Sequence, residues 1–181
     1  MCREPAMKTF KLKTEIWLPQ KRTTVFSFFA DPRNLEDLTP RWLHFKILTP
    51  MPLQMKSGVL IDYRLRLYGI PLHWQSEISV WQPPHRFVDR QIRRPYRVWI
   101  HEHTFAEHRG GTLVGDTVEY AAPGGILVHK LFIARDLRKI FAYRHAPLRQ
   151  RFGGSDPEDP VEFRKSHSLS KGEKSSFIEL R

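Results

Sequence analysis

The chain has 181 residues, 30 Lys and Arg against 19 Asp and Glu, and a formal charge of +11. That length fits one ordinary domain, and 40% apolar residues with 12 Phe and 5 Trp exclude wholesale disorder. The single cysteine, Cys2, excludes an internal disulfide framework and any cysteine-based zinc site.

No early segment joins a basic start to a long apolar run, so no signal peptide is predicted and the expected location is cytoplasmic. Residues 1–6 read as an irregular start. The first strand is predicted over Lys8–Leu18, with Phe10, Leu12, Ile16 and Leu18 on one face and Lys11, Lys13 and Glu15 on the other. Two short helices follow. Thr23 or Thr24 opens the first, which holds Val25 to Phe29; Asp31 and Pro32 supply the N-cap and first-turn residues of a second around Asn34–Leu38, which Pro40 stops.

From Trp42 onward the pattern is β. In Val59–Tyr68 the apolar residues Val59, Ile61, Tyr63, Leu65 and Leu67 alternate with a set containing Asp62, Arg64 and Arg66. Pro71–Trp81 repeats this, with Leu72, Trp74, Ile78 and Val80 opposing His73, Gln75, Glu77 and Ser79. Gly69-Ile70-Pro71, Pro83-Pro84, Arg94-Pro95 and Gly110-Gly111 read as turns. These short connections predict a seven-stranded antiparallel sheet. Pro123-Gly124-Gly125 then turns into a helix over 126–152, whose apolar stripe is Ile133, Leu137, Ile140, Phe141 and Leu148. It would reach roughly 39 Å, with a kink or fraying at Pro147. The stretch 124–134 is broken by His129 and Lys130 and is too short to span a bilayer.

Composition changes at Gly153, and residues 153–181 read as a disordered polar tail behind a folded domain of residues 7–152. The tail carries five bases and six acids, so residues 1–152 hold 25 bases against 13 acids, or +12. A curved sheet around one helix about 10 Å wide leaves a cavity wherever large side chains do not fill it, and such an apolar cavity is the default ligand site.

Strand, two short helices, six strands and a long helix resemble the helix-grip fold, an α+β architecture, of the START/polyketide-cyclase (SRPBCC) superfamily. The segment from Val25-Phe26-Ser27-Phe28-Phe29 through Asp31-Pro32 to Leu35 resembles its helix-helix elbow. Gly58, Asp62-Tyr63, Gly69-Ile70-Pro71, Trp74, Trp81-Gln82-Pro83-Pro84 and Phe87-Val88-Asp89 resemble its central hairpin. Pro95-Tyr96, Trp99, His101, Phe105 and Asp116-Thr117-Val118-Glu119-Tyr120 resemble its last two strands. Arg94 stands where the resemblance implies a glycine. Within the superfamily the chain is most similar to small bacterial ligand-binding, cyclase/dehydrase-like proteins. The superfamily also hosts lipid carriers, hormone receptors, cyclases and oxygenase domains, so the resemblance implies a fold and a cavity more than an activity.

Trp99, His101, His103 and Phe105 share one strand face. Two imidazoles at that spacing suit acid–base work, or a metal if Glu77, Asp116 or Glu119 supplied a third ligand. Neither a His-Glu-x-x-His motif nor a facial-triad pattern accompanies them, so the sequence commits to no metal, no cofactor and no catalytic residue beyond the candidates His101 and His103. Arg64, Arg66, Asp62 and Glu77 read as ion pairs on the solvent face. The bases Lys130, Arg135, Arg138, Lys139, Arg144, Arg149 and Arg151 read as a solvated helix face.

The expected ligand-binding set on the strands is Tyr63, Leu65, Trp74, Ile78, Trp99, His101, His103, Phe105 and Tyr120. On the helix it is Ile133, Leu137, Ile140 and Phe141. The leading expectation is binding or transport of a hydrophobic small molecule, lipid-like or polycyclic, oriented by His101, His103, Tyr120 and Arg64. Two alternatives remain open: a cyclase, aromatase or dehydratase using the same cavity without metal, and a peripheral binder of anionic membrane or nucleic acid through the last helix.

Overall fold

The computed structural model describes residues 9–93, 95–121 and 132–155, and the backbone of 161–165. β1 (Phe10–Leu18) is followed by α1 (Arg22–Phe29), α2 (Asn34–Asp37), a 3-10 turn at Arg41–Leu43 and β2 (Lys46–Ile47). Then come β3 (Leu60–Leu67), β4 (Ile70–Gln82), β5 (Arg86–Arg93), β6 (Val98–His108) and β7 (Gly111–Ala121). The long helix α3 (Ala134–Phe152) and β8 (Val161–Lys165) complete the order. One antiparallel sheet runs β2-β3-β4-β5-β6-β7-β1-β8. This is the curved sheet and C-terminal helix of the helix-grip fold, with seven strands ahead of α3.

Alternation decides which face is dry. Phe10, Leu12, Thr14, Ile16 and Leu18 of β1 are buried, as are Val114, Asp116, Val118 and Tyr120 of the neighbouring β7. Two hairpins have two-residue loops with positive φ at both positions, Tyr68-Gly69 and Arg109-Gly110. That backbone matches the twist of the flanking strands. Ile70, Pro71 and Gly111, expected within turns, already belong to β4 and β7. The N-cap of α2 is Arg33, without a side-chain cap, rather than the expected Asp31, whose side chain instead accepts from the Arg33 N–H at 3.0 Å in the turn before the helix.

α3 buries Leu137, Phe141, Arg144, His145 and Leu148 and continues through Pro147 to Phe152 without ending there. The expected beginning of this helix at 126–131, the Gly124-Gly125 turn, Lys130 and Arg94 lie outside the described residues. So do residues 1–8, including the expected strand start at Lys8. No helix among the described residues is long and apolar enough to cross a membrane.

Two parts of the expected tail, 153–155 and the backbone of 161–165, are among the described residues. Ser155 exchanges backbone hydrogen bonds of 3.1 Å with Trp17, and residues 161–165 pair with β1 from Phe10 to Thr14. Gly154 explains the approach: at φ +123 its Cβ would stand 2.2 Å from the Trp17 carbonyl oxygen. The Gly-Gly pair that suggests a flexible boundary is thus the bend that lays the chain along β1. Residues 166–181 lie outside the description.

Candidate functional site

The inner face of the sheet carries a polar row between two apolar fields. It crosses the strands as Thr14 (β1), Asp116 (β7), His103 and His101 (β6), Asp89 (β5) and Ser76 (β4). Strand register sets the order, since Thr14 and His103 both stand opposite Asp116, and Asp89 stands opposite His101. α3 adds Arg144 and His145, both buried, with His145 Nε2 3.2 Å from Thr14 Oγ1.

Two carboxylates bracket the imidazoles. Asp116 Oδ1 lies 2.9 Å from His101 Nε2 and 2.7 Å from His103 Nδ1. The first contact is an aligned hydrogen bond, whereas the second lies off the N–H direction and acts chiefly through charge. On the other side Asp89 Oδ2 is 3.5 Å from both His101 Nδ1 and His103 Nε2. Asp89 Oδ1 accepts from Ser76 Oγ at 3.4 Å. Ser76 Oγ receives the Trp74 indole N–H at 3.1 Å and a short hydrogen bond from the Tyr63 hydroxyl. The Arg144 guanidinium reaches Asp116 Oδ1 at 3.8 Å, and its Nε has no hydrogen-bond partner among the described residues. Phe87 stacks on His103 at 4.2 Å between ring centres.

The electrostatics follow from this crowding. Burial pushes the Asp116 carboxyl up, but Arg144, His103 and His101 together hold it well below the usual carboxylate range. Burial and the neighbouring His103 depress His101, with Asp116 and Asp89 only partly offsetting them. His103 is held above the ordinary imidazole value, because Asp116 and Asp89 outweigh its burial. Burial, with Asp89 nearby, raises the Tyr63 phenol far above its ordinary value and keeps it a neutral donor.

Ser76, Asp89, His101, His103 and Arg144 form one wall of a cavity of about 210 Å³ between the sheet, α3 and the α1–α2 elbow. Of the residues singled out in the sequence, Tyr63, Leu65, Trp74, Ile78, Trp99, His101, His103, Leu137, Ile140 and Phe141 line it. Phe105, Tyr120 and Ile133 are not among the residues lining it. Phe26 and Phe29 from α1 pack on Phe105, each with ring centres at 5.2 Å, so that end of β6 is filled. Tyr120 lies behind Tyr96 and Trp99, and Ile133 packs against the cluster around Phe10 and Phe141.

Several expectations about polar residues change. Arg64, expected to orient a ligand, is exposed, as is Arg66. Glu77 pairs with Arg90 at 2.6 Å and Glu119 accepts from Thr9, so neither approaches the histidines. Arg144, expected on a solvated helix face, is buried against Asp116. Asp89, Ser76 and Arg144 were not expected in the site. Arg144 had a signal: it stands seven residues after Leu137 and three after Phe141, on the apolar stripe of α3. Asp89 and Ser76 had little, because β-bulges shift the β4–β5 register between Gln75/Ser76 and Ile78/Val80.

The sequence matches no family model and no curated protein. Solved structures do match. Protein Ms6760 from Mycobacterium smegmatis aligns with TM-score 0.58 and 21% identity over 78% of this chain and 92% of its own. Major latex-like protein 151 from Panax ginseng aligns with TM-score 0.60 and 10% identity over 80% and 97%. The di-domain ARO/CYC StfQ of the steffimycin biosynthetic pathway aligns with TM-score 0.60 and 11% identity over 81% and 51%. At these identities the likeness establishes the fold alone, the helix-grip α+β fold.

Proposed function

We propose that the protein binds a compact hydrophobic small molecule in the cavity between sheet and α3, with a polar group of that molecule against His101, His103 and Arg144. The observation that supports this is a cavity apolar along most of its wall and charged at one corner. Apolar burial at about 25 cal/mol per Å² supplies the affinity, and the polar row supplies orientation. Its volume of about 210 Å³ lies below the common range of small-molecule sites, roughly 300–1,000 Å³. A fused-ring or similarly compact ligand therefore suits it better than a long acyl chain. Native mass spectrometry of freshly purified protein, joined to thermal shifts with compact apolar probes, tests the reading. A co-purifying ligand or a probe that raises the melting temperature is expected; neither appearing removes it.

The bracketed imidazoles favour a second reading, a cyclase- or dehydratase-type enzyme using the same cavity. One depressed and one raised imidazole side by side suit a base and an acid. His101→Ala or His103→Ala would then abolish turnover of a polyketide-like substrate with the fold intact. Unchanged turnover in both variants rejects it.

A further inference from the structure

Three residues that line the cavity bring their ligand atoms close together. Asp89 Oδ2, His101 and His103 each offer one ligand atom, and these atoms all lie within 4.8 Å of one another. We propose that Asp89, His101 and His103 form a binding site for a divalent first-row transition-metal ion, zinc(II) by its donor set, on the cavity wall.

The separations fit an ion better than a proton. At 3.5 Å, the distances from Asp89 Oδ2 to His101 Nδ1 and His103 Nε2 are too long for good hydrogen bonds. Ligands about 2.0–2.1 Å from a tetrahedral ion stand about 3.4 Å apart, close to the two distances from Asp89, and the ligand atoms of the two imidazoles lie within 4.8 Å of each other. The sequence commits to no metal because no known ligand motif accompanies the two histidines, and its candidate third ligands were Glu77, Asp116 and Glu119; strand register brings Asp89 beside His101 instead.

The surroundings have the form of an outer shell. A metal-bound imidazole commonly offers its second nitrogen to a carboxylate, which fixes its orientation. Here Asp116 Oδ1 takes such a bond from His101 Nε2 at 2.9 Å, while its 2.7 Å contact with His103 Nδ1 lies off the N–H direction and acts through charge. Asp89 is likewise held, its Oδ1 taking the Ser76 hydroxyl and leaving Oδ2 for the ion. With neutral imidazoles, Asp89, Asp116 and Arg144 sum to −1, so a divalent cation finds a complementary field. Both ligating strands lie inside the sheet, which limits movement of the site. All three ligands line the cavity, so a further coordination position faces any bound molecule.

The test uses the full-length protein, stripped with chelator, dialysed and titrated with cobalt(II) alone. One equivalent is expected to bind, with the intense visible absorption of a low-coordinate site, and zinc(II) should displace it. Asp89→Asn and His103→Gln should each weaken binding at least a hundredfold, and Asp116→Asn by about 10- to 100-fold. His73→Gln, at an exposed strand position, should change nothing. Circular dichroism of the metal-free variants checks folding, and whichever ligand variant folds carries the comparison. Absence of cobalt binding by the folded wild type overturns the proposal. So does equal binding by wild type, the folded ligand variant and His73→Gln, which would place the ion on other histidines. Because metal alone is the probe, failure here leaves the small-molecule reading standing, and failure of apolar probes leaves this one standing.

Discussion

Two neighbouring positions on β6, Phe105 and His103, face the same way and live in different chemistry. Phe105 is 2% exposed and is packed by Phe26, Phe29 and Phe87. His103 is also buried, yet it is stacked by one ring and flanked by two carboxylates. The difference comes from what the adjacent strands and helices present, not from β6. At the aromatic end any well-shaped apolar surface would serve, because dispersion and burial are non-directional. At the polar end every partner matters, because an unpaired charge left in the interior costs more than the pair contributes. One end is held by packing, and the other by the matching of charged and hydrogen-bonding partners.

That contrast can be broken most forcefully at its dry side. Phe105→Ala should cost about 3–5 kcal/mol in urea unfolding, since α1 cannot collapse fully into the hole. A loss below about 1 kcal/mol would mean that this end is not the main support of the fold. At the wet side, Asp116→Asn should cost about 3 kcal/mol at neutral pH by leaving Arg144, His101 and His103 without their shared counter-charge. The pH dependence carries a sign. Although burial pushes Asp116 up, its folded value is well below normal, so its stabilisation is complete above the unfolded value near 4. It is lost as pH falls toward the folded value, and the gap between wild type and variant in metal-free protein should therefore narrow below about pH 4. A constant gap down to pH 2 would contradict the pairing.

Ile140→Trp tests the space between the two ends. The larger ring should reduce binding of any apolar probe at least tenfold while costing about 1–3 kcal/mol of stability. Undiminished binding would show that the ligand lies elsewhere. The smallest effect is expected outside: Glu77→Ala removes a partly exposed pair with Arg90 and should cost less than about 1 kcal/mol. A larger loss there would blur the distinction between surface and interior pairs.

These same regions show what could be read from residues alone. The alternation of Lys8–Leu18 and Val59–Tyr68, the Asp31-Pro32 elbow and the stripe on α3 were legible, because periods of two and 3.6 are local. The aromatic wall of the cavity was legible too, through Trp74, Trp99 and Phe141. The polar corner was only half visible. His101 and His103 announce themselves by spacing, but Asp89 and Asp116 join them through register with β5 and β7, which no local pattern encodes. Arg144 was hidden by its chemistry: a base on a helix reads as solvated even when its position lies on the buried stripe. The pairing of 161–165 with β1 left no signal in the sequence either, since polar composition describes side chains, whereas that pairing is made by backbone.

That last strand bears on how copies of this protein meet. Without it, the nine-residue β1 would present an open row of N–H and C=O groups to any extended chain nearby. With Ser155 and residues 161–165 laid along it, the sheet ends in a five-residue strand on one side and the two-residue β2 on the other. Short borders give a neighbouring polypeptide little to template upon. The backbone of 161–165 thus occupies the groups of β1 from Phe10 to Thr14 that a second chain would otherwise need.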